Sequence, residues 1–132
     1  MRRILRKEEG EHFSEYPLSH GVETETLVFV AGMAFDYDTK SRLKEAETVE
    51  QETKICLDEI GQLLAQAGCT FKDVVKSNVY LAEREYYDAM NRAYRPYWEP
   101  GDYPLRCTFY VGIGGDCRVE IDMIAVKPSL GT

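Results

Sequence analysis

The sequence lacks the features on which several large classes of protein depend. No apolar run approaches the roughly 20 residues needed to cross a membrane, and the basic N-terminus is not followed by the apolar segment of a signal peptide. The four cysteines form no C-x-x-C pair, so their spacing predicts neither a zinc site nor a disulfide framework. We therefore interpret them as reduced thiols of a cytoplasmic protein, with no metal and no membrane partner.

Positive charge is also scarce. The chain has 16 Lys and Arg residues against 23 Asp and Glu residues, which gives a net charge of −7, and the basic residues form no stripe. A polyanion such as DNA or RNA would be repelled at long range, so no nucleic-acid partner is predicted. A small anionic ligand is still compatible with this charge, because one or two buried arginines can bind it locally.

The chain does contain enough apolar sequence for one globular domain. Its 132 residues are 44% apolar, which predicts a single domain over residues 1–132. The nearly continuous apolar run at 26–33 is typical of a central strand, and a second strand is predicted at 74–81.

Helical spacing of apolar residues appears twice. Thr48 and Gln51 have the spacing of a capping box, and the apolar repeat behind them predicts a helix over 48–67 that Gly68 ends. A second helix is predicted over 85–97, with a proline near its end that bends or shortens it.

Two segments near the C-terminus carry the most informative polar pattern. Residues 105–111 and 118–126 both alternate with the two-residue period of a strand, and a glycine-rich turn joins them. The turn predicts that they pair as a hairpin. Such pairing would bring Arg106 onto the same polar face of a sheet as Glu120 and Asp122.

The order of these elements predicts an α+β sandwich, in which two helices cover one face of a mixed sheet and residues 1–5 add an edge strand. The other face is predicted to carry Arg106, Thr108, Glu120 and Asp122 among apolar side chains. Such a face is too apolar to leave open and too charged for a core. It therefore predicts a homo-oligomer with sites at the subunit junctions.

Seven segments, taken in their order and spacing, carry a family resemblance. They are YPLSHGV at 16–22, LVFVAG at 27–32, EQET at 50–53, DVVKSNVYL at 73–81, MNRAY at 90–94, PLR at 104–106 and VEIDMIA at 119–125. Together they resemble the Rid family, also called the YjgF family, whose domain is of the endoribonuclease L-PSP type. The match spans nearly the whole chain.

The resemblance implies a chorismate-mutase-like fold and a homotrimer with three clefts between subunits. It also implies hydrolysis of reactive enamines and imines, such as 2-aminoacrylate, to a 2-keto acid and ammonia without a cofactor. Arg106 matches the family's arginine, which binds the substrate carboxylate through two parallel N–H donors that lysine does not have. Glu120 matches the family's glutamate, which positions or activates water. The other expected substrate-binding residues are Leu18, Ser19, Gly32, Asn91, Cys107 and Thr108.

The sequence departs from the family pattern at several positions. Leu18 stands where deaminases usually have a tyrosine, Thr108 where a cysteine is common and His20 where glutamine is usual, and the loop at 112–117 is short. These departures indicate a divergent subfamily whose substrate is larger or less polar than 2-aminoacrylate. They leave open a non-catalytic, metabolite-binding trimer. Ribonuclease activity is a third alternative, which the acidic composition and the lack of a histidine pair disfavour.

A structural role competes with the functional one at individual positions. Asn91 is expected to cap or pack its helix, whereas for Ser19 a turn cap and a contact in the pocket are equally expected. His20 is expected in a solvated loop, Cys107 as a thiol of the core, and Asp122 as a structural carboxylate.

Overall fold

The computed structural model describes residues 1–7 and 16–128, so residues 8–15 and 129–132 of the predicted domain lie outside it. The elements in chain order are β1 (Arg3–Leu5), β2 (Gly21–Glu23), β3 (Leu27–Met33), β4 (Phe35–Asp36), β5 (Ser41–Arg42), α1 (Val49–Gln66), β6 (Val74–Leu81), α2 (Tyr87–Tyr94), β7 (Leu105–Tyr110) and β8 (Val119–Val126). Six strands form one mixed sheet in the order β1-β2-β3-β8-β6-β7, and β4 pairs with β5.

Helix α1 begins where its capping box predicts. The Thr48 hydroxyl accepts a hydrogen bond from the Gln51 backbone N–H at 3.1 Å, and the Gln51 side chain accepts one from the Thr48 N–H at 2.9 Å. Both bonds satisfy N–H groups that the first turn would otherwise leave unpaired. After the helix, Gly68 adopts φ +74°, a conformation that glycine reaches without steric cost. The first helix prediction is thus confirmed.

Helix α2 is shorter than predicted. Only Tyr87–Tyr94 is α-helical, and short 3₁₀ turns at Arg84–Tyr86 and Arg95–Tyr97 flank it. Pro96 explains the early end, because it has no N–H with which to continue the helical hydrogen bonds.

Both helices lie on one face of the large sheet, which confirms the predicted α+β sandwich with two helices on one face. The core between them is built from alternate residues of the central strands and the inner stripe of α1, including Val28, Val30, Leu57, Ile60, Leu63, Leu64, Val79, Leu81, Ile121 and Met123. The predicted N-terminal edge strand is β1, which pairs with β2.

The predicted C-terminal hairpin is wrong. Strand β8 pairs with β3 on one side and with β6 on the other, and β7 pairs in parallel with β6 alone. Helix α2 connects β6 to β7, and such a crossover returns the chain parallel to its starting strand. The glycine-rich loop then carries the chain past β6 to reach β8.

The predicted sharing of one polar face is also wrong. Arg106 pairs with Ser77, and Thr108 pairs with Val79, both of which are fully buried beneath the helices. Glu120 pairs instead with Tyr80, whose side chain lies on the uncovered face. Directly paired residues point to the same side of a sheet, so Arg106 and Glu120 of one chain lie on opposite faces.

Candidate active site

Arg106 is held by side chains of α2. Its Nη1 donates a hydrogen bond to Asn91 Oδ1 at 2.7 Å, and its Nη2 donates one to the Tyr87 hydroxyl at 3.2 Å. Nη1 also lies 3.9 Å from Met90 Sδ. The guanidinium carbon is 4.9 Å from the centroid of the Tyr94 ring, within the range of a cation–π interaction. These contacts fix the orientation of the guanidinium.

These contacts leave part of the Arg106 guanidinium free for a ligand. Of its five N–H donors, the Nε–H and one Nη2–H have no partner among the described residues. Nε and Nη2 lie on one edge of the group, and that edge is the one through which an arginine can bind a carboxylate by two parallel hydrogen bonds. A cavity of about 260 Å³ adjoins it, lined by Asn91, Tyr94, Arg95, Tyr103, Pro104 and Arg106.

Asn91 therefore has a defined contact in this arrangement. The sequence left open whether it packs its helix or reaches the site. Its side-chain oxygen accepts from Arg106, and Asn91 lines the same cavity. It acts on the candidate site at least through the orientation of the arginine.

Two buried hydroxyls lie in the same region. The Ser77 Oγ and the Tyr94 hydroxyl are both buried, and they interact with each other without forming a regular hydrogen bond to any group in the described part of the chain. Ser77 is the strand partner of Arg106, and Tyr94 stacks on its guanidinium. Burial raises the pKa of the Tyr94 hydroxyl, which keeps that group neutral.

Glu120 is half-buried on the uncovered face of the sheet. Its carboxylate has no hydrogen bond or ion pair with any residue in the described part of the chain. Burial and the nearby charge of Asp122 raise the pKa of Glu120 above its ordinary value. An unpaired carboxylate with a raised pKa is suited to accept and return a proton.

Asp122 is a hydrogen-bonded carboxylate, in agreement with its predicted structural role. It accepts from Asn78 Nδ2 at 3.1 Å and from the Tyr80 hydroxyl at 2.8 Å. Because the bond to Asp122 favours the neutral phenol, the pKa of Tyr80 rises to about 12. The network occupies Asp122 beside the unpaired Glu120.

The segment containing Leu18 and Ser19 borders a second cavity. This cavity of about 290 Å³ lies on the uncovered face, and Ser19, Ala31 and Asp122 are among its lining residues. Leu18 is 48% exposed and brings no hydroxyl. Ser19 thus lies on the side of the sheet that carries Glu120, away from the cavity beside Arg106.

His20 is not the solvated loop histidine that was expected. Its ring is half-buried, and its Nε2 lies 3.0 Å from the Tyr37 hydroxyl. Burial, followed by the charge of Lys7, lowers the pKa of His20 to about 4. The ring is therefore neutral at pH 7.

Gly32 lies beneath α1, and its lack of a side chain allows the helix to approach the sheet. A Cβ there would lie 3.0 Å from the carbonyl carbon and 3.1 Å from the Cα of Cys56, and closer still to the Cys56 oxygen. This face of Gly32 is filled by backbone, so a direct contact between its Cα and a ligand is not available on that side. The glycine is explained by helix–sheet packing.

Cys107 and Thr108 have exchanged the faces predicted for them. Cys107 is an exposed free thiol on the uncovered face, so its interpretation as a core thiol is wrong. Thr108 is half-buried on the helix side, as is Arg106. The alternation was read correctly, but the assignment of its two faces was inverted.

A buried ion pair that supports the site was missed at the sequence level. Glu52 is fully buried and accepts hydrogen bonds from the Arg118 N–H at 2.7 Å, the Arg118 Nε at 2.7 Å and the Val119 N–H at 3.1 Å. It thereby fixes the start of β8, directly before Glu120. The available signal was a glutamate four residues before Cys56, on the apolar stripe of a helix.

A larger cavity of about 870 Å³ lies away from both groups. Its lining includes Arg84, Glu85, Asp116 and Arg118, a mixture of charges that defines no ligand, and it includes neither Arg106 nor Glu120. Within the described ranges, no helix is long and apolar enough to cross a membrane.

The chain is similar to known proteins of one family. Residues 11–127 match the model of the family described as Endoribonuclease L-PSP. The chain is 34% identical over 119 residues to a 2-iminobutanoate/2-iminopropanoate deaminase of Capra hircus, covering 88% of this chain and 84% of that one. It is 32% identical over 112 residues to the protein of the same name from Mus musculus, covering 84% and 82%.

The fold is shared with a solved structure. A member of the YjgF protein family from Neisseria meningitidis superposes with a TM-score of 0.79 at 24% identity, covering 98% of this chain and 97% of that one. From the family match and the similarity to these relatives, the chain belongs to the endoribonuclease L-PSP family, which is the Rid or YjgF family.

Proposed function

We propose that this protein hydrolyses the C=N bond of a small imine that carries a carboxylate, with Arg106 as the carboxylate anchor. The observation that carries the proposal is the Arg106 guanidinium, which side chains of α2 hold beside a cavity while its Nε–H and one Nη2–H have no partner among the described residues. The goat and mouse relatives, which are named as deaminases of two such imines, support the same reaction class.

The chemistry requires one water molecule and no redox step. The water oxygen forms a bond to the imine carbon while the C=N π electrons move to nitrogen. The resulting carbinolamine loses ammonia as its C=O bond forms. Glu120 accepts one water proton during the addition and passes it to the imine nitrogen. It then accepts the hydroxyl proton of the carbinolamine and passes it to the leaving nitrogen, so both water protons end on ammonia. Its raised pKa favours these transfers.

The opposite positions of Arg106 and Glu120 require a second copy of the chain to complete such a site. We propose a homotrimer in which Arg106 of one subunit faces Glu120 of another. The uncovered sheet face supports this assembly, because it exposes apolar side chains such as Leu105 (59% exposed) and Phe109 (43%). Contiguous apolar surface of this kind is typical of a protein interface. All four cysteines are free thiols, which fits the cytoplasmic location that we propose.

A second candidate function is binding without turnover, and Leu18 is the observation that favours it. An exposed leucine in the segment beside the Ser19 cavity supplies no hydroxyl to a bound imine or water. In that case Arg106 would still bind a carboxylate. Ribonuclease activity has less support, because the chain is acidic and His20 is neutral at pH 7.

Imine hydrolysis can be measured by generating 2-iminopropanoate in situ and following its capture by semicarbazide. The wild type is expected to compete with capture. Arg106→Ala should lose about a hundredfold or more in kcat/KM, since a charge-assisted pair contributes up to ~3 kcal/mol. Arg92→Ala is the matched control, because Arg92 is an exposed arginine of α2 that pairs with Glu50. No hydrolysis of several imines by the wild type would favour the binding alternative.

A mixing experiment tests the shared site. Arg106→Ala and Glu120→Gln chains, each nearly inactive alone, are unfolded and refolded together in equal amounts. If each site takes Arg106 from one subunit and Glu120 from its neighbour, random assembly leaves about a quarter of the sites intact. Recovery of about a quarter of wild-type activity is expected. Activity that stays at the level of the separate variants would contradict the shared site.

A further inference from the structure

The cavity beside Arg106 is lined by a second arginine. Arg95, at the end of α2, lines the same 260 Å³ space, and no carboxylate is among the residues that line it. This composition is unusual for a chain with a net charge of −7. Two cations that share a small cavity repel each other, so an anionic ligand there is favoured more strongly than by either arginine alone.

Arg95 has no other electrostatic partner in the described part of the chain. Its neighbour on the same helix, Arg92, donates from Nη2 to Glu50 at 3.1 Å, as exposed arginines commonly do. No comparable ion pair or hydrogen bond occupies the Arg95 side chain. Its guanidinium is therefore available to a ligand in the cavity.

The two arginines differ in how they are held. Arg106 is fixed by Asn91, Tyr87 and Tyr94, whereas Arg95 is exposed and unpaired. Tyr103 and Pro104 supply an apolar wall to the same cavity. Such a cavity, with one fixed cation, apolar side chains and a second cation that can move, would suit a short carbon chain with an anionic group at each end.

We propose that the substrate is the imine of a dicarboxylic amino acid of four or five carbons. Arg106 binds the carboxylate next to the imine carbon, and Arg95 binds the distal carboxylate. This inference rests on the proposed function, and it narrows the substrate class of that same site. The cavity is at the small end of ligand pockets, which fits such a molecule. This substrate is larger than 2-aminoacrylate, as the departures from the family pattern predict. It is, however, more polar than 2-aminoacrylate and not less polar.

Binding of stable product analogues tests the assignment without catalysis. Calorimetry with 2-oxoglutarate and 2-oxobutanoate compares two and one carboxylates on similar carbon chains. The wild type is expected to bind 2-oxoglutarate about tenfold more tightly or better, as a charged hydrogen bond predicts. Arg95→Gln should abolish this preference, Arg95→Lys should keep part of it, and Arg92→Gln should leave it unchanged. Equal affinities in the wild type, or a preference that survives Arg95→Gln, would overturn the proposal.

Hydrolysis then separates the two claims. The imines of L-glutamate and L-2-aminobutanoate are generated by an amino-acid oxidase and trapped with semicarbazide. A higher kcat/KM for the dicarboxylate imine that falls about tenfold in Arg95→Gln supports both claims. If both imines are hydrolysed equally and Arg95→Gln has no effect, this inference is wrong and the deaminase proposal stands. If neither is hydrolysed while the preference for 2-oxoglutarate depends on Arg95, the deaminase proposal is wrong and the ligand class stands.

Discussion

Replacement of Glu52 by glutamine is predicted to destabilise the protein strongly, although the two side chains have nearly the same shape. Glu52 Oε2 accepts from the backbone N–H groups of Arg118 and Val119, and Oε1 accepts from Arg118 Nε. All three partners are donors. A glutamine amide must point its NH₂ group at one of these sets of donors, whichever way it is flipped.

In its more favourable orientation, the glutamine amide of Glu52→Gln keeps the two hydrogen bonds from backbone N–H groups and loses the bond from Arg118 Nε. The arginine, only partly exposed, then retains its Nη2 bond to the Ala46 carbonyl at 2.9 Å and loses its counterion. Removal of one partner of a buried ion pair costs about 3–5 kcal/mol. For a domain of this size, that corresponds to a melting temperature lower by about 10 °C or more.

Urea unfolding followed by circular dichroism measures this loss, and Glu50→Gln is the matched control. Glu50 lies in the same first turn of α1, and its ion pair with Arg92 is exposed on both sides. Such a surface pair contributes about 0–1 kcal/mol. If Glu52→Gln lost no more stability than Glu50→Gln, the three hydrogen bonds would not have the importance that we assign to them.

Two further changes separate structural from functional roles. Gly32→Ala should lose about 1–3 kcal/mol of unfolding free energy, because its Cβ would meet the Cys56 backbone. Gly114→Ala is the control and should lose little, because the space around its Cβ is open. Unchanged stability of Gly32→Ala in urea would refute helix–sheet packing as the reason for this glycine. The lowered pKa of His20 means that its stabilising effect is complete above pH 6.5 and is lost as pH falls towards about 4. His20→Gln should therefore show a weaker loss of stability than the wild type between pH 6.5 and 4 in urea titrations, and parallel curves would contradict the burial of a neutral ring.

Local signals in the sequence predicted local structure well. The Thr48–Gln51 capping box and Gly68 identify the two ends of α1 because each acts through hydrogen bonds or dihedral angles within a few residues. The alternation in β7 and β8 likewise identifies strands. Family resemblance added the overall fold, which the structure and the comparisons confirm.

The errors concern relations between distant segments. A period of two shows which residues share a face but not which face the helices cover, so Arg106 and Cys107 were assigned to the wrong sides. The glycine-rich turn suggested a hairpin, but β6 fits between β7 and β8 through pairing that no local motif encodes. Glu52 was missed because its partners lie 66 and 67 residues away in the sequence.

Strand β7 stands at the edge of the sheet, and this position has a consequence for the newly folded chain. Among the described residues it is hydrogen-bonded on one side only, to β6, and it exposes Leu105 and Phe109. A free strand edge with apolar side chains is a template for irregular pairing and aggregation. The homotrimer that we propose would protect this edge, and solubility during synthesis would then depend on how fast the subunits associate as well as on the stability of the fold.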